Sequence, residues 1–131
     1  PPYRLNAQLS VNQAEQQIVD EALKNRIIEF ESGSAVLAMS GTQILDEMAV
    51  ALNKVGGKKV KIIGHTDSSG DAAKNLALSK ERAVAVKNYL INKSISAERL
   101  SVEGLGSNKP VADNATADGR KKNRRIEFDV I

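Results

Sequence analysis

The sequence contains no cysteine and no tryptophan, and only one histidine. Without cysteine, disulfides, thiolate nucleophiles and cysteine-ligated metals are excluded, and the compartment is left open. One histidine and scattered carboxylates do not make a metal site, since no D-x-D-x-D-G loop is present. Aromatic residues are 3% of the chain, namely Tyr3, Phe30, Tyr89 and Phe128. That is too few for a nucleic-acid stacking platform, so the core must be aliphatic and alanine-rich. No apolar run approaches the roughly 18–20 residues that cross a bilayer, and no export-signal pattern is visible. The chain opens on Pro1-Pro2 and stops on Ile131, and reads as a domain excised from a longer protein.

What is present suffices for one core: 131 residues, 41% of them hydrophobic. The net charge of +3 has a local origin. Five of the 19 basic residues lie in RKKNRR at 120–125, and the remaining 14 face 16 acidic residues. Such a run reads either as a solvated surface patch or as a phosphate-binding stretch. Its approach to a predicted strand and the slightly acidic remainder argue against nucleic acid as a partner.

Residues 1–10 read as a polar linker tail or loosely docked arm. Residues 11–25 read as a helix, with Val11, Ile18, Ala22 and Leu23 as an apolar stripe and Asn12 as a cap. The β-branched stretch Arg26 to Phe30 predicts a strand, followed by the turn Ser32-Gly33-Ser34. A helix is expected from Gln43 to Val55, capped by Ser40 or Thr42 and ended by Gly56-Gly57. Lys59 to Gly64 predicts a second strand. A long helix from about Ala72 to Lys93 follows, with Leu76, Ala83, Val86 and Leu90 on its core side. Ser96 is a cap for a short turn. Arg99 to Gly104 predicts a third strand, and Arg125 to Val130 a last one after a loop that holds a short helix. This alternation argues for a sheet with helices on one face and some parallel pairing.

The chemistry gathers at the loop HTDSSGD. Read locally, Asp67 is an Asx-turn or helix-start residue; alternatively it is a carboxylate at a cleft mouth, where parallel strands end. Asn75, Ser79 and Arg82 follow at helical spacing on one face, bordering the apolar stripe. Arg82 either forms a surface pair with Glu81, Asp71 or Glu103, or faces a ligand. An aspartate and an arginine at one site suit a zwitterionic amino-acid head: the carboxylate accepts from an ammonium, and the guanidinium forks onto a carboxylate. A Ser-His-Asp reading around His65 lacks a G-x-S-x-G elbow and a triad geometry. His65 is instead expected to pack at a strand end or to bond a neighbouring backbone group.

Four segments in register then carry a resemblance. GHTDSSG at 64–70, NLALSKERAVAVKNYL at 75–90, RLSVEGLGSNKP at 99–110 and GRKKNRRIEF at 119–128 resemble the OmpA-like C-terminal domain family, which MotB and Pal share. FESGSAVL at 30–37 resembles its first strand and turn. The match covers about residues 26–131, leaving 1–25 as linker and N-terminal helix. It implies an α+β fold, a β-α-β-α-β-β two-layer sandwich with a mixed sheet, here with an extra helix. It implies a non-enzymatic domain, without cofactor or metal, that binds peptidoglycan through the diaminopimelate head group of the stem peptide. Asp67 and Arg82 fall on the family's head-group clamp, and Thr66, Asn75, Leu76, Ser32 and Gly33 on its other ligand-binding positions. Arg120, Asn123 and Arg124 match its GR-x-x-NR segment and are expected mainly to buttress the Asp67 loop, glycan contact being the alternative; Ser79 is a further supporting residue. Glu31 departs from the family, some members of which carry Asp there. The resemblance places the domain in the periplasm of a Gram-negative envelope, held to the outer or inner membrane through segments outside this sequence. The alternative is a protein-interaction or oligomerisation module, a homodimer through the 11–25 helix included.

Overall fold

The computed structural model describes the backbone of residues 2–131 and the side chains of residues 13–131. Helix α1 spans Pro2–Leu23, so residues 2–10 are helical rather than a linker tail. Asn12 therefore lies inside the helix and not at its cap; its side chain and that of Val11 lie outside those described. Helix α2 is Met39–Lys54, strand β1 Val60–His65 and helix α3 Ala72–Asn92. A short 3-10 turn, Ala97–Arg99, leads into strand β2, Leu100–Gly106. Helix α4, Ala117–Asn123, and strand β3, Arg125–Val130, complete the chain.

The fold is α+β with a mixed three-stranded sheet, order β2-β1-β3. Central β1 runs parallel to β2 and antiparallel to β3. Strand alternation puts Val60 and Ile62 on one face, Ile62 in register with Phe128 and Gly64 with Ile126, and the four apolar residues are buried. That face meets the helices: Val19 of α1, Ile44, Leu45, Met48 and Leu52 of α2, and Ala83, Val86 and Leu90 of α3 close one aliphatic core. The opposite face carries Lys61, Glu103, Glu127 and Asp129 around Ile63.

Two glycines bring α3 onto the sheet. A Cβ on Gly64 would lie 2.0 Å from the Ser79 carbonyl oxygen, and one on Gly104 would lie 2.5 Å from Lys80 N. The strands can thus approach the helix backbone itself, and Ser79 fills the contact: its hydroxyl donates to Leu76 O and accepts from Gly106 N.

The strand expected at 26–30 does not form; only an isolated Phe30–Leu37 bridge remains. Two causes are visible. Lys24 and Asn25 turn the chain with left-handed backbone, and Arg26 is used to close α1, its backbone N–H and Nε donating to Leu23 O and Nη2 to Ala22 O. The β3 edge that a fourth strand would pair with is taken by Gln16. Its amide donates to Phe128 O at 2.8 Å and accepts from Val130 N at 2.8 Å, standing in for a strand residue. Three smaller corrections concern the helices. α2 starts at Met39 behind Ala38, so Ser40 and Thr42 are not its cap. Ser96 precedes the 3-10 turn without a side-chain cap bond. Leu76 is half-exposed and not part of the core.

Candidate functional site

At the C-terminal end of β1, where parallel β1 and β2 deliver their loops, a cavity of about 610 Å³ opens. Its walls are the loop after β1, one side of α3, the 27–33 segment and the start of β3. The volume suits a small ligand or the end of a peptide.

Asp67 sits in the loop wall, buried. It makes an Asx-turn and also lines the cavity. Oδ1 accepts from Ser69 N at 2.8 Å, an Asx-turn, and Oδ2 accepts from Arg124 Nη1 at 2.6 Å. Burial alone would raise the carboxyl pKa; the Arg124 and Ser69 hydrogen bonds outweigh it and hold it below the ordinary value. The loop is tied down on three sides. Thr66 N donates to Gly106 O, and Thr66 Oγ1 donates to Asp67 O. Asn75 Nδ2 donates to Ser69 O at 2.7 Å. Asn123, fully buried, accepts from Val111 N and Ala112 N and donates to Ala112 O and Asn114 Oδ1, and Asn114 Oδ1 in turn accepts from Ser68 N. Asp71 caps α3 by accepting from Ala73 N.

Arg82 enters the same cavity from α3. Nε donates to Ser34 O at 2.9 Å, and the guanidinium lies 5.0 Å over the Phe30 ring. None of Glu81, Asp71 or Glu103 pairs with it among the described residues. Burial lowers its pKa, Arg124 adds to this and Asp67 opposes it. A guanidinium remains cationic at neutral pH regardless. The result is a partly desolvated cation without a carboxylate partner among the described residues.

Ser32 and Gly33 line the cavity on the far side, Gly33 with φ +67 at the tip of a loop that Ser34 closes by bonding Glu31 O and Val36 N. Lys121 also lines it, 3.9 Å from Glu29. Leu76 and Ser79 do not line it: Leu76 packs on Gly106 and Ser79 is sealed against β2, while Leu78 takes the lining position. Arg120 braces from behind, Nη1 donating to Asn114 O. Arg124 is the C-cap residue between α4 and β3, and from there it reaches Asp67. Arg125 turns instead to Glu127 and Lys109 O. His65 does pack at a strand end, but its neighbour is a carboxylate, with Nε2 2.8 Å from Glu127 Oε1. Burial and then Arg125 hold its pKa below the ordinary value, against the pull of Glu127.

Sequence reasoning missed Phe30, Ser34, Ser69 and Asn114. The D-x-S spacing of 67–69 signals the Asx-turn; nothing local signals that Phe30 and Ser34 orient Arg82 from 48 or more residues away.

Among the described residues no group of three or more His, Asp or Glu is placed to hold a metal, and no helix is long and apolar enough to cross a membrane. The OmpA family model matches residues 29–124. The chain is 38% identical over 102 residues to outer membrane protein A of Bordetella avium, covering 78% of this chain and 53% of that protein. It is 36% identical over 115 residues to the peptidoglycan-binding protein ArfA of Mycobacterium bovis, covering 88% of this chain and 35% of that protein. The chain thus spans about half or less of the length of these curated relatives. Among solved structures it is similar to the cell wall anchor of the T6SS from Pseudomonas aeruginosa, with TM-score 0.74, 29% identity and coverage of 88% and 94% of the two chains. Fold, matched span and identity agree: the chain belongs to the OmpA family.

Proposed function

We propose that this domain binds peptidoglycan non-covalently through the diaminopimelate head group of the stem peptide, and so anchors a parent envelope protein to the wall from the periplasm. The observation that carries the reading is the pairing of opposite charges in one cavity. Asp67 is held ionised in the loop, and Arg82 stands opposite with no carboxylate partner among the described residues. An ammonium bound to Asp67 and a carboxylate forked onto Arg82 describe one α-amino-acid end. Lysine in the same stem position would offer the ammonium and leave Arg82 unmatched. A relative named as peptidoglycan-binding and a structure described as a cell wall anchor support the same reading. The site asks for recognition without chemistry on the ligand.

The test is a pull-down by insoluble peptidoglycan with the intact chain. Asp67→Ala and Arg82→Ala should each abolish retention while the circular dichroism spectrum stays that of a folded protein. Arg82→Lys should also bind poorly, because a point charge replaces a fork. Retention of both alanine variants at the wild-type level sinks the reading.

A further inference from the structure

Arg124 does not use its whole guanidinium on Asp67. Nη1 makes the ion pair, and neither Nε nor Nη2 has a hydrogen-bond partner among the described residues. The side chain is 44% exposed. Arg82 is placed likewise: Nε is on Ser34 O, and both Nη groups are without a partner among the described residues. Both arginines line the same cavity, close enough for the charge of Arg124 to depress the Arg82 pKa. Two cations facing one cavity repel until an anion arrives between them. Asp67 is in the opposite condition: it is buried, with one oxygen on Ser69 N and the other on Arg124. The site's unmet demand is therefore for a carboxylate more than for an ammonium.

We propose that Arg124 is a second ligand-binding arginine, keeping Nη1 on Asp67 while sharing the ligand's free carboxylate with Arg82, so that the site selects stem peptides whose diaminopimelate carboxylate is free and rejects those in which it is amidated. This rests on the peptidoglycan reading above and narrows it. A carboxylate presents only acceptors, which match N–H groups arriving from both sides. A carboxamide loses the charge, keeps one acceptor oxygen and turns an NH₂ toward guanidinium donors. Donors desolvated by the ligand then go unmatched, which is how polar sites reject near-isosteres. Asp67, already satisfied by the protein, loses less when the ligand's ammonium is absent.

Calorimetric titration of the intact chain decides this with three soluble tripeptides: one ending in diaminopimelate, its head-group carboxamide, and a counterpart lacking the head-group amine. Wild type should bind the amide at least about tenfold more weakly than the acid, the scale of one lost charge-assisted bond, and should lose less on removal of the amine. Arg124→Gln should weaken the acid and shrink the acid-to-amide ratio. A merely structural Arg124 would weaken all three peptides alike. Equal binding of acid and amide by wild type, a greater loss without the amine than with the amide, or an unchanged ratio in Arg124→Gln overturns the proposal. Acid binding that depends on Asp67 and Arg82 yet ignores amidation sinks this inference alone; no binding of any peptide sinks the parent reading with it.

Discussion

The two walls of the cavity are built differently. The Asp67 wall is a short loop whose carboxylate, backbone and flanks are all bonded within the protein: Ser69 N and Arg124 on the carboxylate, Gly106 O on Thr66 N, Asn75 on Ser69 O, and Asn123 through Asn114 on Ser68 N. The Arg82 wall has one long side chain, steadied by Ser34 O and the Phe30 ring from a loop that is closed by its own hydrogen bonds and joins no strand of the sheet. The negative wall is pre-organised and contributes to folding. On the positive wall both Nη groups of Arg82 are without a partner among the described residues, which is the capacity the proposed ligand would use. This division explains how a binding site can sit in a stable domain: the group that is costly to bury ionised is also the one the fold satisfies.

The largest expected effect removes the platform both walls stand on. Gly64→Ala places a Cβ against the Ser79 carbonyl oxygen and pushes α3 off the sheet, separating Arg82 from the Asp67 loop. Urea unfolding should show a loss of about 3 kcal/mol, with weakened wall retention. A Gly64→Ala protein of wild-type stability would remove the close approach from the account.

The contrast between the walls predicts an asymmetry next. Asp67→Ala should cost about 2 kcal/mol of folding stability, since Ser69 N and Arg124 lose a buried acceptor. Arg82→Ala should cost less than about 1 kcal/mol, although both abolish binding. Equal costs would erase the distinction drawn between them.

The smallest effect is a pH dependence. The His65 pKa is depressed in the folded state by burial and by Arg125. Protonation therefore favours the unfolded chain, and the contribution of His65 is present above the unfolded value of about 6.5 and lost as pH falls through the folded pKa. Wild type should lose more stability than His65→Gln between pH 7.5 and 5 (about two and a half pH units) in paired urea titrations. Parallel pH profiles would contradict it.

Much of the frame was legible because it is local. The 3.6-residue spacing of Ala83, Val86 and Leu90 and the alternation of Val60 and Ile62 report buried faces directly. The Arg26–Phe30 stretch misleads for a non-local reason. Its β-branched residues favour a strand, but Arg26 is consumed closing α1, and Gln16, 112 residues away from Phe128, occupies the edge. Leu76 and Ser79 exchange the burial their chemistry suggests, because Gly104 and Gly64 admit a serine, and a leucine would not fit, where helix and sheet nearly touch. In the site, Asp67 and Arg82 share a cavity as the charge argument required, and Asn123 and Arg124 brace the loop. The bonds that fix their positions come from segments far along the chain, and no spacing rule encodes those.

The most direct test is a two-dimensional amide NMR titration of the intact chain with a soluble diaminopimelate-containing muropeptide. The account predicts saturable shifts confined to the 66–71 loop, the 30–34 loop, and the amides around Arg82 and Arg124, all abolished in Arg82→Ala. Shifts centred on α1 or on the Lys61–Glu127 face of the sheet, or no saturable shift at all, would contradict it.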